Sequence, residues 1–218
     1  IYRFQHVYSW FLYMFASLAW LYKKDFQQAF APDPRSGKRA PTKTIVDMIV
    51  WKVAHIALFI GAPIAIGGYA WWMVLLGYLA IHAATGTTLA VVFQLAHVVE
   101  KTAFPRPDDA LRIDDAWMAH QLKTTANFAP ESFFANFFCG GLNHQVEHHL
   151  FAKICHIHYP EIAPIVREVA LKHGVPYHEY PTFLSALASH LRTMKRFGYP
   201  GGVVPAAGAA DADALPAE

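Results

Sequence analysis

Seven consecutive residues, Asn143-His144-Gln145-Val146-Glu147-His148-His149, hold the densest metal-binding chemistry in the chain. On a helix, Gln145, His148 and His149 stand at i, i+3 and i+4 and project from one face toward a common point. Neutral imidazole is the commonest protein ligand for zinc and iron, so that face predicts a metal site; the competing reading is a pair of surface histidines beside a glutamate. His97, in Phe93-Gln94-Leu95-Ala96-His97-Val98-Val99-Glu100, is a second candidate, because an ionisable group at the end of an apolar run costs roughly 3 kcal/mol unless it is paired. Glu100 lies one turn later, where it can orient the imidazole.

The heptapeptide also spells H-x-x-E-H, with His144 and His148 as zinc ligands and Glu147 as the general base of a zinc protease. Against that reading stand the unused His149 and the apolar segments upstream. Haem held by His82 and His97 is excluded, since their spacing leaves them roughly 60° apart around one helix. His82 is expected to hydrogen-bond within its bundle, to a residue such as Thr85. His6, His120, His173, His178 and His190 read as surface or capping histidines, and His156 and His158 fall on opposite sides of any extended segment.

The elements that must position these groups are apolar. Of 218 residues, 55% are hydrophobic and 16% charged, which excludes a disordered chain and points to a membrane protein. A net charge of +2 with no basic run excludes nucleic acid as a partner, and two cysteines, Cys139 and Cys155, exclude a disulfide framework and a thiolate zinc site. From Val53 to Val99 there is no Asp, Glu, Lys or Arg, enough for two spans of about 20 residues. They are expected at Thr44–Ala65 and Tyr69–Val99, turning at Gly61-Ala62-Pro63 to Gly67-Gly68. Lys23, Lys24, Arg35, Lys38, Arg39, Lys43 and Lys52 precede this hairpin and Lys101, Arg106 and Arg112 follow it, so both its ends are expected in the cytoplasm, with Lys52 snorkelling to the interface. Val7–Tyr22 reads as an interfacial helix or a short third span, and Ala31–Pro41 as a loop.

Beyond Glu100, start and stop residues predict helices from Asp114 or Asp115 to about Asn127, from Pro130-Glu131 to Gly140-Gly141, over Leu142–Phe151, from Pro160 to His173 and from Pro181 to Phe197. The tail from Pro200 reads as disordered. The fold class is all-α: a multi-span helical membrane protein, with a hairpin at about 44–99 and a cytosolic helical cap at about 100–199 that carries the histidine box, followed by a tail at 200–218.

Gln145-Val146-Glu147-His148-His149-Leu150-Phe151 resembles the third histidine box of membrane fatty acid desaturases. Thr124-Thr125-Ala126-Asn127-Phe128, Gly140-Gly141-Leu142-Asn143, Ile154-Cys155-His156-Ile157-His158-Tyr159-Pro160 and Phe93-Gln94-Leu95-Ala96-His97 extend the resemblance from about Arg3 to Phe197. Gln145 in place of the box's first histidine is similar to the front-end and linoleoyl-CoA type branch, which acts on already unsaturated acyl chains. The resemblance implies two non-haem irons at the cytosolic membrane face, O2 as co-substrate, an acyl-CoA or acyl-lipid substrate, and cytochrome b5 or a ferredoxin as electron donor. It implies His148 and His149 as iron ligands, His97 as a further ligand from a span, Gln145 as a ligand or a group behind one, and Glu100 and Glu147 as supports.

The family's other two boxes, H-D-x-x-H and H-x-x-H-H, do not occur in this chain, and two irons need roughly eight to ten ligands. Ala152 stands where the family usually has Pro, and His144 where an aromatic is common, so His144 is not carried over as a ligand. With its first residue Ile1, the chain is therefore expected to be the C-terminal part of an oxygen-dependent desaturase and inactive alone. The rival expectation is a degenerate membrane protein without catalysis.

Overall fold

The computed structural model describes residues 2–33, 36–110, 112–199 and 201–202. Two units divide the chain, one of residues 10–90 and one of residues 1–9 with 91–218. The expected disordered tail lies outside the described residues, apart from its first glycines.

Helices α1 (Gln5–Met14), α2 (Ala16–Ala19) and α3 (Asp25–Phe30) follow one another closely, with a π-helical turn at Trp20–Lys24 between α2 and α3. After the loop, α4 (Thr42–Ile56), a second π turn at Ala57–Gly61 and α5 (Ala62–Ala65) run on as one rod of 24 residues. Gly68 makes the turn at φ +64°, a backbone conformation open to glycine at no steric cost. The return helix α6 covers Trp71–His97. Both rods are long and apolar enough to cross a membrane, and only 6% and 17% of their apolar windows are covered by the chain itself. A helix at the core of a soluble protein is mostly covered, so these two faces suit lipid.

Within residues 10–90 several polar side chains find partners, as an apolar surround favours. Lys52 does not snorkel outward: it is buried, with Nζ 2.7 Å from Asp25 Oδ2. His82 is bonded inside its bundle as expected, but to Ser17, whose Oγ lies 3.0 Å from Nδ1 and donates to the His82 carbonyl at 2.9 Å. His55 Nε2 meets Tyr78 Oη at 3.0 Å, and Tyr78 Oη meets Tyr22 Oη at 2.6 Å.

The second unit is built on the last turns of α6. Val92, Leu95, Ala96 and Val99 form a core with Ala126, Phe128, Ala129, Tyr180 and Ala186. Helix α7 begins at Trp117 and ends at Thr124, shorter than expected at both ends. Asp115 pairs with Lys123 instead of capping the helix, and the chain turns extended at Thr125. Strand β1 (Ala126–Phe128) follows. It pairs in parallel with β2 (His178–Tyr180), Asn127 opposite Glu179, a three-residue pair that departs from the helical reading in a chain that is otherwise mostly helical as expected. The reason is physical: residues 125–129 are fully buried, and their backbone groups need a partner that a terminated helix cannot give.

Helix α8 (Phe133–Phe138) starts from Ser132, whose side chain accepts from Ala135 N at 3.2 Å, and not from Pro130. Helix α9 is Gln145–Leu150, with Leu142–His144 in the preceding turn. Helix α10 (Tyr159–Lys172) and α11 (Phe183–Phe197) match the expected amphipathic helices; Gly174 at φ +68° stops the first, and Thr182 with Ser185 forms a capping box on the second.

Candidate metal centre

Helix α9 is one and a half turns long, too short to stand on its own propensity, so tertiary contacts hold it. Gly140 and Gly141 lead into it at φ +56° and +76°. At Gly141 a Cβ would come within 2.5 Å of His156 Cβ, so only glycine fits. Asn127, on β1, reaches across and accepts the Val146 N–H at 2.9 Å, closing an open donor of the first turn of α9. The Asn127 amide in turn donates to Glu147 Oε2 at 2.7 Å, and Tyr177 Oη donates to Glu147 Oε1 at 2.9 Å. Asn143, His144, Gln145, Val146 and Glu147 are all buried. Burial pushes the Glu147 carboxyl above its ordinary range, against the pull of these two donors.

His97 and His149 are brought together, with ring centroids 5.0 Å apart at 65°. The His149 Nδ1–H donates to Gln121 Oε1 at 2.6 Å, and the His97 Nδ1–H to the Thr124 carbonyl at 3.3 Å. Both acceptors are oxygens without hydrogens, so each imidazole carries its proton on Nδ1 and presents the Nε2 lone pair. Both acceptors sit on α7, at i and i+3. Gln145 Nε2 lies 3.4 Å from His149 Nε2, while Gln145 Oε1 is buried without a hydrogen-bond partner. The His148 ring is 5.9 Å from that of His149 and half-buried. Burial, together with the nearby His97 and His148, pulls the His149 pKa down to about 4, so His149 is neutral near pH 7.

The donor chemistry suits a transition metal, two oriented neutral imidazoles with a third and an amide alongside, as part of a ligand set. It is not a whole set: among the described residues, no three His, Cys, Asp or Glu side chains group so as to hold an ion.

Two expected supports take different places. Glu100 does not orient His97; it is held by Arg192 at 2.8 and 2.7 Å, which keeps its carboxyl below the usual range. Glu147 supports the box through Asn127 and the α9 backbone. His144 points away from the pair, its Nε2–H donating to Asn136 Oδ1 at 3.1 Å, and its Nδ1 lies 3.9 Å from Glu147 Oε2. His156 and His158 are exposed. His190, expected at the surface, is buried and donates from Nδ1 to the Val98 carbonyl at 2.7 Å, satisfying an open acceptor at the end of α6. Gln121, the acceptor for His149, is the residue of the candidate site that sequence reasoning missed. Nothing in its spacing flags it, since its partner is 28 residues away.

A helix long and apolar enough to cross a membrane that ends on an imidazole, beside a helix carrying two more, is consistent with a histidine-rich membrane protein, and the family follows from sequence comparison. The chain belongs to the fatty acid desaturase family, whose profile matches residues 1–181. Its relatives agree with the front-end type. The sn-1 linoleoyl-lipid 6-desaturase of Synechocystis sp. is 39% identical over 201 residues, covering 91% of this chain and 56% of the relative. The acyl-lipid (8-3)-desaturase of Physcomitrium patens is 36% identical, covering 89% and 41%. The Delta(5) fatty acid desaturase A of Dictyostelium discoideum is 32% identical, covering 90% and 43%. The chain thus spans about half the length of the curated relatives it matches. No solved structure matches it.

Proposed function

We propose that this chain is the part of an oxygen-dependent acyl-lipid desaturase that carries the third histidine box and the hairpin before it. The observation that carries the reading is the His97–His149 pair, each imidazole committed at Nδ1 and open at Nε2, at the end of a helix of membrane length. His97, His149 and His148 would hold non-haem iron, with Gln145 as a further ligand: a half-turn of its side-chain amide brings Oε1 beside His149 Nε2. The remaining ligands of a two-iron site would come from polypeptide outside this sequence. When bound, the irons supply the O2-dependent oxidation that takes two hydrogens from an unactivated methylene pair.

The chain's own residues do the positioning. Gln121 and the Thr124 carbonyl hold the Nδ1 protons, which fixes both tautomers. Leu95 and Ala96, both fully buried, pin the turn that carries His97 into the core. Asn127 and Glu147 fix the start of α9, and so the direction of His148 and His149. The relatives' names favour an acyl-lipid over an acyl-CoA substrate, and the electrons would come from cytochrome b5 or a ferredoxin. The excess of Lys and Arg at both ends of the hairpin favours a cytoplasmic site. The zinc protease reading is disfavoured, because both Glu147 oxygens are engaged and His144 is turned to Asn136.

Expression of the full-length gene, with fatty-acid analysis of the host's lipids and metal analysis of the purified protein, tests the proposal. A new double bond and bound iron are expected, both lost in His149→Ala and His148→Ala. Stoichiometric zinc without iron, or activity lost in His144→Ala and kept in His149→Ala, would refute it.

A further inference from the structure

Helix α8 reads Phe133-Phe134-Ala135-Asn136-Phe137-Phe138, and its two faces have opposite fates. Ala135, with Cys139 just beyond the helix, packs against the core formed by the last turns of α6. The Asn136 side chain donates to the Pro130 carbonyl at 2.9 Å and accepts from Asn143 at 2.7 Å. The four phenylalanines turn outward and are 69–75% exposed. They are ordered among themselves: Phe133 stacks on Phe137 with centroids 6.1 Å apart, and Phe134 on Phe138 at 6.5 Å. Ile157, 65% exposed, lines the same groove as Phe133 and Phe137 and extends the apolar face.

What covers this face follows from α6. Its 27 residues rise about 40 Å, against a hydrocarbon core of about 30 Å. Measured from the Trp71-Trp72 end, where indoles suit a headgroup layer, the helix leaves the hydrocarbon near Ala90. Val92, Leu95 and Ala96 therefore lie at the opposite headgroup layer, and the core they form with residues 126–129, on which Ala135 and Cys139 pack, sets α8 at that level. A short helix with aromatic side chains on one face and a satisfied polar network on the other suits that layer.

We infer that α8 is an interfacial anchor whose four phenylalanines insert into the acyl region of the bilayer leaflet beside the metal centre. The occupant is glycerolipid, and the inference rests on the reading of α4–α5 and α6 as membrane spans. It fixes the depth of the site: Asn136 on α8 and Asn143 and His144 before α9 share one hydrogen-bond network, so lipid that meets the phenylalanines meets the support of the box.

The test is photocrosslinking of the full-length protein in phosphatidylcholine vesicles, with p-benzoylphenylalanine replacing Phe133, Phe134, Phe137 or Phe138 one at a time. Replacement of exposed Glu168 on α10 serves as the reference. Expected is a mass increase of one phospholipid, several-fold more abundant at the α8 positions than at Glu168. Adducts between two copies of the chain, adducts to an electron-donor protein, or equal lipid labelling at Glu168 would each overturn the inference. Alkaline carbonate extraction of the same samples separates the underlying reading: release of the protein removes the membrane spans themselves, whereas retained protein with no lipid adduct on α8 refutes the anchor alone.

Discussion

Replacing Gln121 by alanine removes the acceptor that His149 Nδ1–H meets at 2.6 Å, and nothing else near the pair changes chemistry. Two outcomes are open to the imidazole. It can keep the Nδ1 proton without a partner, at a cost of about 1–3 kcal/mol for a buried donor, or move it to Nε2 and lose the lone pair that a metal needs. Loss of a partner behind a metal-bound histidine typically costs 10–100-fold in affinity or activity, about 1.4–2.8 kcal/mol, and the two estimates agree. Gln121→Ala in the full-length protein should therefore lower iron content at limiting iron, and lower unsaturated product, by about 10–100-fold. Gln121→Glu keeps an acceptor at the same place and should retain most of both. The contrast is Glu100→Gln, which disturbs an exposed ion pair with Arg192 and should leave iron binding alone. Iron by emission spectrometry, product by fatty-acid analysis and the thermal melt in detergent separate these cases. If Gln121→Ala melts like the parent and keeps its iron and its product, α7 does not set the tautomer of His149, and the account of the site fails.

Asn127→Ala leaves the Val146 N–H and one Glu147 oxygen without their partner and should destabilise the second unit by about 2–4 kcal/mol, read as a lowered melting temperature. Gly141→Ala meets a positive φ and the His156 Cβ at 2.5 Å, so it should cost upward of about 1 kcal/mol and loosen α9, seen as lowered iron content in the full-length protein. His178 is held near pKa 4 by burial and by the charge of Lys101. Above its ordinary pKa of about 6.5, folded and unfolded chains are both neutral there and it adds no pH dependence. Between about 6.5 and 4 the unfolded chain takes up a proton that the folded chain refuses, so stability falls as pH falls, by up to about 1.4 kcal/mol per unit; below that it levels off. His178→Gln should flatten this slope in chemical unfolding measured from pH ~7 to ~4.5, and an unchanged slope would contradict it.

What the sequence makes legible is what repeats or punctuates locally. The charge-free run from Val53 to Val99 specifies two rods, and Pro160, Gly174 and Gly198 bound two amphipathic helices within a residue or two. The i, i+3, i+4 spacing puts His148 and His149 on one helix with Gln145, and His97 ends α6. What joins distant segments is not legible. Asn127 leaves the expected helix because a strand 52 residues away offers backbone partners, His178 opposite Ala126 and Glu179 opposite Asn127, and three residues carry no readable period. Glu100 sits at the right spacing to reach His97, yet Arg192 from α11 competes with a full charge and wins. His190 reads as a surface histidine because its acceptor, Val98 O, lies 92 positions earlier.

The closure of α6 by α11 has a consequence for how the protein is made. The turn carrying His97 is fixed by Thr102 locally, but also by Ser189 on the Glu100 N–H and by His190 on the Val98 carbonyl. These partners are synthesised some 90 residues after the turn they hold. During translation α6 is complete long before α11 braces its last turn, and until then the turn rests on Thr102 and on the Thr124 carbonyl that holds His97. A ribosome stalled, or a message cut, between Gly174 and Thr182 would deliver both long apolar helices and α9, without the Ser189 and His190 contacts that brace the end of α6.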